Sequence, residues 1–494
     1  MNRRQILLGA AAAAGSIPGS ADASIKGSAM PLWKWSATDL AEAIRARKIT
    51  SREATASALQ RVASVNGRLN AIVEHLDEEA LAAADNADRA VRNGEPLGLL
   101  HGVPVTTKIN VDYKGHATTD GAIALKDNIA LEDSSPVRNL RRAGAVIIGR
   151  TNVPTFSSRW FTENDLYGRT FNPWSRAITP GGSSGGASSA VASGMGALAH
   201  GNDIAGSVRY PAYACGVTSI RPSMGRVPAR TSTGKSLAQS LFLVEGVLGR
   251  TVADIKLGFA ALAADDPGDP WWTPAPLEFP GAGRPTRVAL YAGGKTYRPD
   301  ASVAASLDRA AKALRDAGYM VDEVDLPHFE EAANLWYELA INEDRPPAGA
   351  SRDLGEDRRL NRLMDSVDKI TPVLDRHGFA TAIARRNAIC AEWDLFFQRY
   401  PLVLLPNSWV APFEWEHDQV GPEGMREVLR EQSPQLVTPL LGVPGLSVPT
   451  GLVSGIPSGV QLLARRFRED RCFAAASIIE RANPMPTPVD PVGA

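Results

Sequence analysis

The chain has 494 residues, a formal net charge of −1 and 44% hydrophobic residues, which is the composition of an ordinary soluble globular protein. Its 53 basic residues are balanced by 54 acidic ones, so it lacks the excess of positive charge that nucleic-acid-binding proteins carry. Its three cysteines and seven histidines show no spacing typical of a metal or redox site. We therefore expect no metal, no cofactor and no nucleic-acid partner.

The first residues differ in character from the rest of the chain. Arg3 and Arg4 precede a short apolar run from Ile6 to Gly15, and Ala21-Asp22-Ala23 forms an A-x-A cleavage site. This order is typical of a twin-arginine export signal, and the apolar run is too short to span a bilayer. We expect residues 1–23 to be removed and the mature protein to be periplasmic or secreted, without stable membrane association. The alternative is a frayed basic N-terminus.

Alternating helices and strands organise residues 24–494, which we expect to form a single domain. An alternating apolar pattern from Leu99 to Val111 predicts a strand that carries Lys108. A helix that begins at Ser135-Pro136 then leads into the apolar strand Ala145–Gly149. The same reasoning predicts helices over 36–44, 51–65, 77–92, 302–317 and 380–398, and strands over 287–291, 319–324 and 402–405. Such alternation is typical of an α/β fold with a largely parallel sheet.

The stretch from Thr179 to Pro211 is unusually rich in glycine and serine. Two serine-bearing glycine loops, G-G-S-S-G-G around Ser183 and I-A-G-S ending at Ser207, flank a predicted helix from Ala187 to Ala199. Glycines beside a serine let the backbone approach a ligand and point N–H groups at one place, as an oxyanion requires. A catalytic loop is one interpretation. A phosphate loop or a plain turn is the other, although no lysine follows as in a P-loop.

Three motifs together resemble the amidase signature family of hydrolases. They are H-G-V-P-V-T-T-K ending at Lys108, G-G-S-S-G-G around Ser183 and D-I-A-G-S-V-R around Ser207. Their lysine and two serines are separated by 75 and 24 residues, and three motifs in order are far more specific than one. The resemblance covers nearly all of residues 36–480. It implies the family's α/β fold, in which a large twisted, mostly parallel mixed sheet is covered by helices on both faces.

The resemblance also implies a Ser-Ser-Lys triad that hydrolyses carboxamides through an acyl-enzyme, without a cofactor. Ser207 would attack the substrate, Ser183 would follow a cis peptide bond and relay the proton, and neutral Lys108 would be the final base. Because burial lowers the pKa of a lysine, we expect Lys108 to be buried. The proposed oxyanion donors are the backbone N–H groups of Ile204, Ala205, Gly206 and Ser207.

Other residues of these motifs are expected to support the triad, namely Gly182, Ser184, Asp203 and Arg209. The glycine eases the backbone before Ser183, the serine is a candidate N-cap of the following helix, and the charged pair orients the loop through a structural salt bridge. Three positions depart from the family pattern, because Ile109 stands where aspartate is common, Ala205 where glycine is usual and Asn202 where threonine is usual. Since alanine tolerates a positive φ poorly, the loop must either hold Ala205 in an ordinary conformation or carry strain.

The least family-like part of the chain runs from about residue 265 to 435, and we expect it to shape the substrate pocket. Its aromatic residues either line an aryl-accepting pocket or pack in the core, and they are Trp271, Trp272, Trp336, Tyr337, Trp409, Phe413 and Trp415. The substrate is left open among primary carboxamides, peptide C-terminal amides, anilides, oligoamides and carbamates. A homodimer is compatible with the sequence.

Two other functions share the same motifs. A glutamine amidotransferase subunit of the tRNA-dependent type would need partner chains and a cytosolic substrate, which the export signal argues against. An inactive binding protein on the same scaffold is disfavoured because Lys108, Ser183 and Ser207 are all present. The sequence therefore predicts an exported serine amidohydrolase that acts on a small or medium carboxamide.

Overall fold

The structure is a computed structural model that describes residues 30–230, 235–343, 345, 355 and 357–492. The expected export signal, residues 1–23, lies outside the described residues. The strands are β1 (Ile72–His75), β2 (Pro104–Lys108), β3 (Val146–Thr151), β4 (Leu198–Asp203), β5 (Thr218–Arg221), β6 (Val244–Gly249), β7 (Arg287–Leu290), β8 (Met320–Glu323), β9 (Leu402–Pro406), β10 (Gly445–Val453) and β11 (Ile456–Ala464).

The described helices are α1 (Ala37–Arg45), α2 (Ser51–Leu69), α3 (Asp77–Asn93), α4 (Ser135–Arg142), α5 (Gly185–Ala192), α6 (Arg209–Cys215), α7 (Leu237–Phe242), α8 (Val252–Leu262), α9 (Ala301–Asp316), α10 (Phe329–Glu343), α11 (Arg358–Ile370), α12 (Arg376–Arg399), α13 (Gly421–Glu431), α14 (Ser433–Leu441) and α15 (Glu469–Ala482). The helices and strands predicted from periodicity before α5 and from β7 to β9 all occur, with ends that differ by a few residues.

The strands form one mixed sheet in the order β1-β3-β2-β4-β6-β5-β10-β11-β9-β7-β8. β2 is parallel to β3 and β4, and β7 is parallel to β8 and β9. The other neighbours pair antiparallel. The α/β fold with a large mixed sheet is confirmed, but the sheet is less parallel than expected. One reason is the tight turn at Ser454-Gly455, where both residues have positive φ and β10 and β11 can pair only as a hairpin.

Helices cover both faces of the sheet, as the side-chain alternation along single strands indicates. In β9, Leu402 and Leu404 pack in the core beneath α9 and α15, whereas Val403 and Leu405 pack in the core beneath α10, α12 and α14. In β4, Leu198 joins the first of these cores and Ala199 packs against α5 and α6. Strands buried on both faces explain why their sequences are continuous apolar runs.

One predicted helix is wrong in its extent. The small-residue segment after Ser183 forms α5 only as far as Ala192, and β4 begins at Leu198. Gly194 and Gly196 lie between them with φ of 79° and 101°, a backbone conformation that ends a helix. The earlier end matters for the site, because it turns the following residues into a central strand that points Asn202 toward Lys108.

The three cysteines, Cys215, Cys390 and Cys472, are free thiols. No described helix is both long and apolar enough to cross a membrane. Within the same residues, no cluster of histidine, cysteine and carboxylate side chains has an arrangement that could hold a metal ion.

Candidate active site

Two parallel strands bring Lys108, the expected base, and its first polar partner together. β2 ends at Lys108 and β4 ends at Asp203, and the two strands run side by side in the same direction. Because parallel neighbours end at the same edge of a sheet, Lys108 meets Asn202 there. The amine Nζ of Lys108 lies 2.6 Å from Oδ1 of Asn202 and 2.7 Å from Oγ of Ser183. Two motifs that are 75 residues apart in sequence therefore share one hydrogen bond.

Ser183 lies immediately before α5, and the peptide bond between Gly182 and Ser183 is cis, as the resemblance implied. Gly182 is required by packing, because a Cβ at this position would lie 2.4 Å from the backbone oxygen of Arg159. Ser184 occupies the N-cap position of α5, but its hydroxyl makes no capping hydrogen bond. Its backbone N–H instead donates to the carbonyl oxygen of Ser207 at 3.2 Å, which ties the two serine loops together.

Lys108 is fully buried, and burial lowers the pKa of its amine to about 8. The nearby carboxylates of Asp120, Glu245 and Asp203 oppose this shift, because their negative charge favours the ammonium form. The amine is therefore neutral in part of the molecules near neutral pH and in most of them above pH 8. A neutral amine has a lone pair that can accept a proton, as a general base requires.

The loop after β4 carries Ser207 and is held by a buried ion pair. The carboxylate of Asp203 accepts hydrogen bonds from Nε and Nη2 of Arg209 at 3.0 and 2.9 Å, and from the backbone N–H groups of Gly206 and Val208 at 2.9 and 3.2 Å. Burial raises the pKa of Asp203, but Arg209 and Arg221 outweigh this effect and bring the pKa below its usual value. The expected structural salt bridge between Asp203 and Arg209 is present.

One of the expected oxyanion donors is engaged elsewhere. The N–H of Gly206 donates to Asp203 at 2.9 Å, so in this structure it holds the loop. Gly206 has a φ of 93°, and a Cβ there would come within 2.5 Å of the side chain of Gln435, so both its backbone and its packing require glycine. Ala205 does not adopt a positive φ, so the loop holds it in an ordinary conformation. Its carbonyl accepts a hydrogen bond of 2.9 Å from the indole N–H of Trp160.

The Ser207 loop is also anchored by residues from the C-terminal third of the chain. Arg209 donates from Nη1 to Oε1 of Gln461 at 2.6 Å and from Nη2 to the carbonyl oxygen of Gln435 at 2.9 Å. Gln461 in turn donates to the carbonyl oxygen of Pro434 at 3.2 Å. The nucleophile loop is therefore fixed by α14 and β11 together with its own motif.

Sequence reasoning missed three polar residues near Lys108, namely Asn110, Ser157 and Asp120. Asn110 and Asn202 exchange side-chain hydrogen bonds of 3.2 and 3.3 Å, and Asn110 also donates to Oγ of Ser157 at 3.0 Å. Ser157 donates to Oδ1 of Asp120 at 2.7 Å. None of Asn110, Ser157 and Asp120 belongs to a motif with a recognisable local pattern. The only signal in the sequence is that Asn110 lies close to Lys108.

Ser183 and Ser207 line a cavity of about 490 Å³, which is large enough for a small organic molecule. Helices α10, α11 and α13 supply much of its apolar lining. The apolar side chains from these helices are those of Trp336, Tyr337, Ala340, Ile341, Leu360, Leu363, Met364, Val367, Met425 and Leu429. The lining thus has two parts, a polar one at the two serines, called the reaction end, and a largely apolar one formed by the three helices, called the far wall.

The aromatic residues of the 265–435 region divide between cavity and core. Trp336 and Tyr337 line the cavity, whereas Trp409 stacks on Tyr297 at 4.8 Å in the core and Trp271 is exposed. Phe413 stacks on Phe161, and Trp272 and Trp415 do not line the cavity either.

A buried ion pair forms part of the lining of the cavity. Nε and Nη2 of Arg159 lie 2.7 and 2.9 Å from the two carboxylate oxygens of Asp418, and both side chains are buried. Because each charge neutralises the other, the pair adds no net charge to the cavity.

Comparison with known proteins shows the family to which this fold belongs. Residues 53–473 match the Amidase family. The chain is 43% identical over 458 residues to an indoleacetamide hydrolase of Bradyrhizobium diazoefficiens, and the match covers 91% of this chain and 87% of the relative. It is 31% identical to a glutamyl-tRNA(Gln) amidotransferase subunit of Moorella thermoacetica, over 92% of this chain and 97% of that protein.

Among solved structures, a bacterial aryl acylamidase of the amidase signature family superposes with a TM-score of 0.80 at 26% identity, and the match covers 92% of this chain and 97% of that one. The family match over most of the chain and the shared fold confirm the resemblance read from the three motifs. The chain therefore belongs to the amidase signature family and hydrolyses the carbon–nitrogen bond of a carboxamide.

Proposed function

We propose that this protein hydrolyses a primary carboxamide with an aromatic or other apolar acyl group, and that Ser207, Ser183 and Lys108 carry the reaction. The observation that carries the proposal is the cavity, which Ser183 and Ser207 line together with the apolar side chains of α10, α11 and α13. The relative at 43% identity is an indoleacetamide hydrolase, and that substrate is an arylacetamide of this description.

The hydrogen bonds of Lys108 support its role as the base. Oδ1 of Asn202 can only accept, so it takes one N–H of the neutral amine and leaves the lone pair for Ser183. As Oγ of Ser207 bonds to the carbonyl carbon of the substrate, its proton passes to Ser183, and the proton of Ser183 passes to Lys108. The returning proton goes to the amide nitrogen, which leaves as ammonia and yields an ester between the acyl group and Ser207. Water then hydrolyses this ester by the same proton route.

The negative oxygen of the tetrahedral intermediate needs donors on the Ser207 loop. With the N–H of Gly206 committed to Asp203, the proposed donors are the backbone N–H groups of Ile204, Ala205 and Ser207. Asp203 and Arg209 act on these donors only through the shape of the loop.

Substrate preference follows from the far wall of the cavity. Burying an aromatic ring against Trp336, Tyr337 and the leucines and methionines of α11 and α13 contributes about 1.5–3 kcal/mol, which corresponds to a preference of about 10- to 150-fold. An arylacetamide should therefore be turned over with a kcat/KM at least about tenfold above that of acetamide. We propose that the 265–435 region as a whole sets this preference.

A panel assay with purified protein tests the proposal. Indole-3-acetamide, phenylacetamide, acetamide, an anilide, a peptide amide and glutamine are compared by release of ammonia or amine and of the carboxylate, with Ser207→Ala as control. Preference for the arylacetamides supports the proposal. Preference for glutamine would instead favour the amidotransferase function, which relatives at about 31% identity carry.

We further propose that residues 1–23 export the folded enzyme, that residues 24–494 form the mature domain in the periplasm or outside the cell, and that the enzyme acts on a small molecule without nucleic acid. The Arg3-Arg4 pair before an apolar run supports this proposal. N-terminal sequencing of protein from the native envelope fraction tests it, with a start near Ser24 as the expected result. An intact start at Met1 in the cytosol would contradict it. Light scattering on the same sample measures the oligomeric state and tests the homodimer.

A further inference from the structure

The reaction as proposed leaves one carboxylate next to the base without a role. Asp120 lines the same cavity as Ser183 and Ser207 and is half-buried. Within the described residues it has no ion pair with a lysine, arginine or histidine side chain. The other carboxylates that act on Lys108 are already matched, since Asp203 pairs with Arg209 and Glu245 pairs with His200 at 2.8 Å.

A continuous set of hydrogen bonds connects Asp120 to the base. Asp120 accepts from the hydroxyl of Ser157 at 2.7 Å, and Oγ of Ser157 accepts from Nδ2 of Asn110 at 3.0 Å. The amides of Asn110 and Asn202 bond to each other, and Oδ1 of Asn202 accepts from Lys108 at 2.6 Å. A carboxylate can only accept, so Asp120 decides the direction of the hydrogen bonds between itself and the base.

The direction matters because an amide side chain can present either its oxygen or its nitrogen. With Asp120 accepting from Ser157, the lone pairs of Ser157 face Nδ2 of Asn110, and Asn110 is held in one orientation. Asn110 then holds Asn202 with its oxygen toward Lys108. A reversed Asn202 would present its NH₂ group to the amine and compete with Ser183 for the lone pair.

The backbone around Asp120 is built to hold this arrangement. Asp120, Phe156 and Ser157 all have φ near +50°, which is unfavourable for residues other than glycine and is found most often at functional sites. The backbone oxygen of Asp120 accepts from the N–H of Phe156 at 2.8 Å, which joins the two unfavourable turns.

The negative charge of Asp120 acts on Lys108 in addition to the hydrogen bonds that connect the two residues. Burial raises the pKa of Asp120 to about 7, while its bond from Ser157 and the charge of Lys108 oppose this rise. When ionised, Asp120 favours the ammonium form of Lys108 by its negative charge. Two other pairs near these groups are neutralised, namely Asp203 with Arg209 and Arg159 with Asp418. Glu245 is hydrogen-bonded to His200, and its charge also favours the ammonium form of Lys108.

We propose that Asp120 is a positioning residue for the base, which orients Lys108 through Ser157, Asn110 and Asn202 and stabilises its protonated form by charge. This proposal rests on the proposed function, because it assumes that the reaction needs the neutral amine of Lys108. Ser157 and Asn110 belong to the same positioning set.

The test is the pH dependence of kcat/KM for the best arylacetamide, which reports ionisations of the free enzyme. The wild-type rate should rise with pH along a limb near pH 8. Asp120→Asn keeps the shape and an acceptor for Ser157 but removes the charge, so its limb should move to lower pH by about one unit. Because the neutral amide also weakens the orientation of the hydrogen-bonded side chains, kcat should fall by about tenfold or more.

Two further variants separate charge from structure. Asp120→Glu keeps the charge, so its limb should stay within a few tenths of a pH unit of the wild type although kcat falls. Ser157→Ala interrupts the hydrogen bonds and leaves the carboxylate, so kcat should fall with a smaller movement of the limb than Asp120→Asn causes. The proposal would be overturned if the pH limb of Asp120→Asn stayed at the wild-type position. It would also be overturned if Asp120→Glu shifted the limb as far as Asp120→Asn does. Far-ultraviolet circular dichroism and the melting temperature Tm confirm that each variant is folded.

The same assay tells this proposal apart from the proposed function. Lys108→Arg cannot supply a neutral base, so it must be inactive if the proposed function holds. If Lys108→Arg stays active, the proposed function fails. If Lys108→Arg is inactive and Asp120→Asn keeps the wild-type limb, only the role of Asp120 fails.

Discussion

The two parts of the cavity lining are built in opposite ways. At the reaction end, side chains come from the ends of two central strands and the start of α5, and each polar group of Lys108, Asn202 and Asp203 has a partner within about 3 Å. At the far wall, three helices present aromatic, leucine and methionine side chains that make few directional contacts. Bond-breaking chemistry needs fixed distances between the reacting groups, whereas recognition of an apolar group needs only a cavity of sufficient volume from which water is excluded. Changes in the two parts should therefore have different kinetic effects.

The largest effect is expected at the reaction end. Ser207→Ala and Lys108→Arg should each lower kcat by at least about 10⁴-fold while leaving Tm within a few degrees, because each removes a member of one catalytic unit. Members of such a unit are not additive, so Ser183→Ala in the Ser207→Ala background should cost little more. Steady-state kinetics and a serine-directed phosphonate test this. Labelling that continues in Ser207→Ala would show that another residue is the nucleophile.

The second prediction concerns the ion pair in the cavity lining. Arg159 and Asp418 are both buried and share two hydrogen bonds, so Asp418→Leu or Arg159→Met leaves a buried charge without its partner. Each single change should cost about 3–5 kcal/mol of unfolding free energy. The double variant Arg159→Met/Asp418→Leu should recover a large part of this loss. Chemical denaturation measures all three, and full additivity of the single losses would show that the two side chains do not act as a pair.

The third prediction applies to the far wall. Trp336→Ala should raise KM for indole-3-acetamide by about 10- to 100-fold with little change in kcat, since the lost contact is made in ground and transition states alike. The matched control is acetamide, whose turnover should hardly change because it is too small to reach the ring. A fall in kcat for both substrates would mean that the helix wall also positions the triad.

The features that could be predicted from the sequence are those with a local signature. Apolar periodicity and capping residues marked most helices and strands, and the three motifs singled out Lys108, Ser183 and Ser207 as the candidate triad. Strand direction was harder to predict, because pairing joins segments far apart in the chain and depends on turns such as Ser454-Gly455. The extent of α5 was predicted wrongly because alanines and serines suit a helix, and the effect of Gly194 and Gly196 was underestimated.

Side chains that act through tertiary contacts were beyond sequence reasoning. Asp120 lies in T-T-D-G, which reads as an ordinary turn, and its role depends on Ser157, 37 residues away. Arg159 and Asp418 are 259 residues apart, and neither belongs to a motif. The engagement of the Gly206 N–H with Asp203 was also hidden, because the D-I-A-G-S pattern does not say where each N–H group points.

The anchoring of Arg209 by Gln461 determines when, during its synthesis, the enzyme can become active. These residues are 252 positions apart, and Gln435, which also holds the arginine, follows it by 226. At about 5–20 residues per second, a ribosome needs about 10–50 s to make the intervening chain. During that time the nascent protein already contains its lysine and both serines, but the loop that carries Ser207 still lacks its anchors in α14 and β11. Hydrolytic activity is thus among the last properties that the growing chain acquires.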